Sequence, residues 1–247
     1  MLVINPPIFA HRGANLYAPE NTLAAFKKAH VLGIKWLEFD VMLSADDEVV
    51  VFHDDNLDRT TDKTGRVLDF KFSDLKKLDA GAWFHPKFSN ERIPSFQEVI
   101  KFLRENKMAA NVEIKPYPGL ENKTTEKVMA EIAKYWDEEI TPPLVSSFSL
   151  QVLKKVRALS ATVDIGFLMH EWNPQWRAIC HELNCASVDV NEAIITPEMV
   201  QLFKKDQRLV FSYTVNNPLR AKELFSFGVD AVYSDCPDII LNQIRES

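Results

Sequence analysis

The chain is short of several things at once. It holds three cysteines, Cys180, Cys185 and Cys236, with no CxxC pair, and an odd number cannot all pair within one chain. That excludes a disulfide framework and points to a reducing compartment, with the cysteines as small buried hydrophobes. Glycine is scarce, seven residues in all, and no Gly-rich turn follows the first apolar run, where an open nucleotide-binding sheet usually carries one. Basic residues are outnumbered: 29 Lys and Arg against 35 Asp and Glu give a net charge of −6. A nucleic-acid partner demands a basic footprint, so that class is excluded, whereas a small anionic substrate needs only a local positive cluster. No apolar run approaches the roughly 20 residues of a membrane span. Residues 1–10 have neither a basic leader nor a long apolar core, so they do not read as a signal peptide. The expectation is a cytoplasmic protein with no stable membrane insertion.

What is present is alternation. Short apolar runs at Ile8–His11, Trp36–Leu43, Ala109–Ile114, Leu144–Ser147, Ile165–Met169, Ser187–Asn191, Leu209–Thr214 and Ala231–Ser234 read as strands. Between them, segments of helical period run over Thr22–Leu32, Phe96–Glu105, Lys123–Asp137, Leu150–Leu159, Gln175–Leu183, Pro197–Lys205, Leu219–Phe227 and Pro237–Ile244. Thr196-Pro197 and Asp235-Cys236-Pro237 are helix-start signals. Eight strands alternating with eight helices, in 247 residues, predict an α/β fold closed as a TIM (β/α)8 barrel, one domain over residues 1–247.

One run breaks the alternation. Val49–His53 is apolar, but only Ser44–Glu48 separates it from the preceding strand, and a parallel crossover needs a dozen or more residues. It must fold back as a β-hairpin. Centring the turn on Ala45–Glu48 pairs Ser44 with Val49 and Asp40 with His53, which brings a histidine beside the charged end of the second strand. Residues 54–92 then form an insertion without strong period, scattered with aromatics (Phe70, Phe72, Trp83, Phe84, Phe88). Loops this long are usually lids or binding segments, although the aromatics can equally build a satellite core.

Active sites of such barrels lie at the carboxyl ends of the strands. The second strand carries Glu38 and Asp40, two apart and therefore on one face, with Leu37, Phe39 and Val41 on the other. The next reads Asn111-Val112-Glu113-Ile114-Lys115. Three carboxylates facing one way from neighbouring parallel strands cost several kcal/mol per ion to bury unless something compensates. A divalent cation held by Glu38, Asp40 and Glu113 is the obvious compensation, and oxygen-only ligands favour Mg2+ or Ca2+. His11, at the end of the first strand, and His53 converge on this cluster, and two histidines facing one substrate suit proton transfer. Arg12 and Lys115 add positive charge at the same rim, with ion pairs to Glu38 or Glu113 as their plain structural alternative. His30, His85 and His181 read as surface or packing residues, and packing is favoured for His170.

At these residues the sequence resembles the glycerophosphodiester phosphodiesterase family. The matching segments are Ala10-His11-Arg12-Gly13, Ala18-Pro19-Glu20-Asn21-Thr22, Glu38-Phe39-Asp40-Val41, His53-Asp54 with Leu57-Asp58-Arg59-Thr60, Glu113-Ile114-Lys115, Ser147-Phe148, Thr214-Val215-Asn216 and Gly228-Val229-Asp230. The resemblance implies hydrolysis of glycerophosphodiesters such as glycerophosphocholine or glycerophosphoethanolamine to glycerol 3-phosphate and an alcohol, in glycerol and lipid metabolism. It implies Glu38, Asp40 and Glu113 as metal ligands, His11 and His53 as an acid–base pair, Arg12 and Lys115 as phosphate contacts, and Tyr213 and Asn216 beside the substrate. Asn21 is as suited to capping the next helix as to touching substrate. Tyr213 stands where the family often has Trp, and Ser234-Asp235-Cys236-Pro237 replaces a common Thr-Asp-x-Pro. Two alternatives remain: a phospholipase D-like lyase that stops at a cyclic phosphate, and a non-catalytic glycerophosphoryl-binding barrel.

Overall fold

The computed structural model describes residues 2–245. In chain order it runs β1 (Ile8–His11), α1 (Leu23–Val31), β2 (Trp36–Leu43), β3 (Val49–Val51), α2 (Phe72–Leu75), α3 (Phe96–Asn106), β4 (Ala109–Ile114), α4 (Glu121–Tyr135) and β5 (Leu144–Ser147). It continues through α5 (Leu150–Leu159), β6 (Asp164–Met169), α6 (Trp176–Glu182), β7 (Ser187–Asn191), α7 (Pro197–Lys205), β8 (Leu209–Tyr213), α8 (Pro218–Phe227), β9 (Ala231–Ser234) and α9 (Pro237–Arg245). Every strand except β3 pairs in parallel with its neighbours, and β1 pairs with both β2 and β9, so the eight parallel strands close into a TIM barrel. Strand and helix limits agree with the sequence pattern to within about two residues, because buried strands read as continuous apolar runs and helices as amphipathic ones.

Strand alternation sorts the side chains. Leu37, Phe39 and Val41 of β2 point outward into the layer shared with Phe26 and Ala29 of α1 and Phe96 of α3, and the Phe39 ring lies 5.7 Å from Phe26 and 6.0 Å from Phe96. Inside the barrel, Phe9, Trp36, Ala109, Leu144, Phe211, Ala231 and Tyr233 form an apolar plug, with Phe9 stacked on Tyr233 at 4.4 Å. Phe9 lies beside Trp36, and Trp36 beside Ala109. Two residues further along each strand, His11 therefore meets Glu38 and Glu38 meets Asn111, and one step above that Asp40 meets Glu113. The plug thus sets the height at which the charged layers begin.

The hairpin forms, but its register differs by one residue from the sequence expectation. Leu43 faces Val49 and Val41 faces Val51; the N–H opposite Asp40 belongs to Phe52, which donates to the Asp40 carbonyl at 3.1 Å. The cause is the turn. Ser44 N–H donates to the Glu48 carbonyl at 3.0 Å, so three residues rather than four make the bend, with Asp47 taking a left-handed φ of 64° that Asp tolerates. The strand ends at Val51, so His53 reaches the mouth on the chain leaving it.

Residues 54–92 are irregular, with single 3-10 turns at Leu57–Arg59, Val67–Asp69 and Pro86–Phe88 besides α2. Met42, Val50, Phe52, Leu57, Val67, Leu75, Ala80, Ile93 and Tyr117 bury a satellite core against which Phe70 and Phe72 pack. Trp83, Phe84 and Phe88 instead pack edge-on against one another. The Tyr117 hydroxyl donates to the Asp55 carbonyl at 2.6 Å and accepts from Leu68 N–H at 3.3 Å. The insertion is thereby fastened to the loop after β4.

Gly13 seats the loop that carries His11 and Arg12. Its φ is +84°, and a Cβ there would lie 2.6 Å from the Ala25 Cβ and 2.8 Å from the Ala25 carbonyl carbon. Gly33 has a similar φ of +80° with open space around it. Gly33→Ala therefore costs only the left-handed strain, roughly 1–2 kcal/mol, whereas Gly13→Ala adds an overpacking penalty of about 1–3 kcal/mol. Denaturant melts of the two variants check this; equal losses would contradict the close approach of this loop to α1.

Candidate active site

The carboxyl ends of the strands open into a cavity of about 400 Å³ whose lining includes His11, Arg12, Glu38, His53, Asn111, Glu113, Lys115, Phe148, His170, Asn191 and Tyr213. At its floor Glu38, Asp40 and Glu113 bring one carboxylate oxygen each to within 4.8 Å of one another. Glu38 and Asp40 are buried, with 3% and 1% of their surface exposed. Oxygen ligands of one divalent ion fit such separations, because metal–oxygen bonds of about 2.0–2.6 Å leave neighbouring ligands roughly 3–5 Å apart.

The three acids differ in their support. Burial works against ionisation of Asp40, but Arg12, His53 and Lys115, with a hydrogen bond from Asn21, outweigh it and hold its carboxyl below the usual range. Asn21 Nδ2 donates to Asp40 Oδ2 at 2.9 Å, Arg12 Nε lies 3.5 Å from the same oxygen, and Lys115 Nζ lies 4.0 Å from Oδ1. Glu38 has little such support. Burial first, then the charges of Asp40 and Glu113, drive its pKa well upward. Its Oε2 accepts from the Arg12 backbone N–H at 2.9 Å, while Oε1 is buried without a hydrogen-bonding partner among the described residues. Burial and the Asp40 charge likewise push Glu113 up to about 8.

Both histidines are backed by aspartates. His11 Nδ1 lies 2.7 Å from Asp235 Oδ1, leaving Nε2 on the Glu38 side at 4.0 Å. Asp235 also accepts from Asn15 Nδ2 and from Asn216 Nδ2, each at 2.6 Å. His53 Nδ1 lies 2.5 Å from Asp54 Oδ1. Burial lowers the His53 pKa despite the raising pull of Asp40, so near neutrality its ring is mainly uncharged. Arg12 pairs not with Glu38 or Glu113 but with Glu20, Nη1 donating to Oε1 at 2.9 Å.

Several placements differ from expectation. Asn21 does not cap α1; Thr22 does, accepting from Ala25 N–H at 3.4 Å, and the Asn21 amide is given to Asp40. Asn216, expected at the substrate, uses its amide on Asp235, its Oδ1 accepting from the Asp235 N–H at 2.8 Å. Tyr213 does line the cavity, and its hydroxyl is buried with no partner among the described residues. His170 is not packed but exposed at the rim, where its Nδ1 lies 3.1 Å from Asn191 Nδ2. Sequence reasoning gave no site role to Asp54, Asp235, Asn15 or Asn111. The signal for Asp54 was adjacency to His53; for Asp235 it was a position at the end of the last strand, obscured by its reading as a helix start.

With the pKa values of Glu38 and Glu113 raised by burial and neighbouring charge, a cation bound at the three acids would compete with protons. A carboxyl whose folded pKa is raised, as for Glu38 and Glu113, stabilises the metal-free fold at low pH, and that contribution fades as pH rises through the folded value, about 8 for Glu113. A fixed concentration of Mg2+ or Ca2+, near 100 times the Kd at pH 8.5, should then raise Tm by roughly 5–10 °C at pH 8.5 and by distinctly less at pH 6. Scanning calorimetry measures this; a shift independent of pH would contradict the raised pKa values of these acids.

Comparison with known proteins places the chain. The family model described as the glycerophosphoryl diester phosphodiesterase family matches residues 11–239. A glycerophosphodiester phosphodiesterase of Caldanaerobacter subterraneus subsp. tengcongensis is 36% identical over 97% of this chain and 98% of its own length. One from Bacillus altitudinis is 32% identical over 97% and 98%. Among solved structures, a phosphodiesterase from Oleispira antarctica, in complex with the product sn-glycerol-3-phosphate, superposes with a TM-score of 0.94 at 36% identity, covering 97% of both chains. With the matched segment running from His11 through every acid and base of the barrel mouth, the chain is an enzyme of the glycerophosphoryl diester phosphodiesterase family.

Proposed function

We propose that the chain catalyses metal-dependent hydrolysis of glycerophosphodiesters, of the glycerophosphocholine and glycerophosphoethanolamine type, to glycerol 3-phosphate and an alcohol. The observation that carries this reading is the Glu38–Asp40–Glu113 group flanked at one barrel mouth by two aspartate-backed histidines. The donor set fits a hard divalent ion, Mg2+ or Ca2+: all three donors are carboxylates, and the unpartnered Glu38 Oε1 is a ligand atom in waiting. When bound, such an ion supplies charge neutralisation at the phosphoryl oxygens.

The remaining work falls to the chain's own side chains. Arg12 and Lys115 contact the phosphate, the guanidinium held in place by Glu20. A glycerol hydroxyl next to the ester attacks phosphorus. One histidine takes its proton while the other donates a proton to the departing alcohol oxygen, so that one P–O bond forms as another breaks. Water then opens the cyclic phosphate with the two roles exchanged. Asp235 and Asp54 accept from Nδ1 of each ring, which fixes Nε2 as the reacting nitrogen. Tyr213, with its free buried hydroxyl, serves the glycerol side, and Asn216 holds Asp235. We further read residues 1–247 as one barrel unit, with 54–92 working as part of it, in the cytoplasm, where the cysteines Cys180, Cys185 and Cys236 stay as free thiols.

His11→Ala and His53→Ala should each lower kcat about 10²–10⁴-fold with circular dichroism and Tm near wild type; near-wild-type turnover by either variant would remove that histidine from the pair. EDTA should abolish turnover of glycerophosphocholine, with Mg2+ or Ca2+ restoring it. In 31P NMR of the reaction, glycerol 3-phosphate should accumulate. A cyclic phosphate as the end product would make the protein a lyase, and inactivity with metal present would make it a binding protein.

A further inference from the structure

Arg59 lies in the insertion, outside the barrel and outside the cavity lining. We propose that it is a positioning residue for the reaction, one guanidinium that fixes His53 through Asp54 and Arg12 through Glu20. The inference rests on the hydrolytic reading above.

The geometry is specific. Arg59 Nε donates to Asp54 Oδ2 at 2.7 Å and Nη2 to Asp54 Oδ1 at 2.9 Å. The same Nη2 donates to Glu20 Oε1 at 2.7 Å and Nη1 to Glu20 Oε2 at 2.6 Å. Four of the five guanidinium donors are thus engaged in two bidentate pairs, an arrangement that Lys, with one point charge, cannot reproduce. Each carboxylate is also shared with the site: Asp54 Oδ1 with His53 Nδ1 at 2.5 Å, and Glu20 Oε1 with Arg12 Nη1 at 2.9 Å. The result is a continuous line of hydrogen-bonded groups, His53–Asp54–Arg59–Glu20–Arg12, ending against Asp40. An isolated ion pair at a side chain 45% exposed contributes little to stability. Here the consequence is orientation. Without Arg59, Asp54 is free to swing away from the imidazole, and Glu20 loses the partner that holds it under Arg12. The histidine and the arginine come from different loops, one after β3 and one after β1, and these paired hydrogen bonds tie the two together.

The two arms give separable signatures, since His53 acts in the chemical step and Arg12 in phosphate binding. With saturating Mg2+ and glycerophosphocholine, Arg59→Met should lower kcat about 10–100-fold and raise KM several-fold. Asp54→Asn should reproduce the kcat loss, and Glu20→Gln mainly the KM rise. In the Asp54→Asn background Arg59→Met should lower kcat by less than about 3-fold more, and in the Glu20→Gln background it should leave KM nearly unchanged, as expected of residues acting as a unit. Arg59→Lys, which keeps the charge and carries the same cycles if the Met variant fails to fold, should restore less than half of the lost kcat. Losses that multiply undiminished in both backgrounds, a lysine variant with wild-type kinetics, or a fall in Tm with kcat and KM unchanged would each overturn the proposal. Absence of wild-type turnover would instead strike the hydrolytic reading on which it stands.

Discussion

Strand register in a closed parallel barrel forces three carboxylates onto one floor, and most of the surrounding structure answers that repulsion. The apolar plug of Phe9, Trp36 and Tyr233 fixes the height of the inward layers, and pairing places Asp40 directly beside Glu113. Burying such charges together costs several kcal/mol per ion. The protein meets the cost unevenly. Asp40 receives Arg12, Lys115 and Asn21, which hold its carboxyl below the usual range, while burial and neighbouring charge push Glu38 and Glu113 upward. A cation bound at these acids would compete with their protons, so its affinity would be linked to pH.

Beyond the floor, polar support radiates outward in pairs. Barrel closure brings the end of β9 against the end of β1, and so Asp235 against His11, 224 residues earlier. The second histidine has its aspartate as a sequence neighbour, but that aspartate is steadied from the insertion. Each ring is held through Nδ1 by a carboxylate whose remaining oxygen is itself satisfied. The proposed acid–base pair is thus oriented before any substrate binds.

Much of this was legible in the chain. The apolar runs marked the barrel strands closely, since strands covered on both faces must read as continuous hydrophobic stretches. A spacing of two put Glu38 and Asp40 on one face, and Glu113 followed from the neighbouring strand. The hairpin register was not legible, because one residue in the left-handed region, Asp47, decides between a three- and a four-residue turn. The expected pairing of Asp40 with His53 failed by one residue, yet His53 still reaches the mouth because β3 ends before alternation could turn it away. Asp235 was masked by resembling a helix start, and Asn21 by resembling a cap. Partners such as Arg59 and Glu20, 39 residues apart, depend on how an irregular insertion folds over its satellite core, which periodicity does not encode.

Anomalous scattering from crystals soaked in Mn2+, a spectroscopically convenient stand-in for Mg2+, tests the shared-ion arrangement most directly. One strong peak within coordinating distance of oxygens from Glu38, Asp40 and Glu113 is the predicted result. A peak elsewhere in the cavity, or none at these three carboxylates at saturating Mn2+, would contradict it.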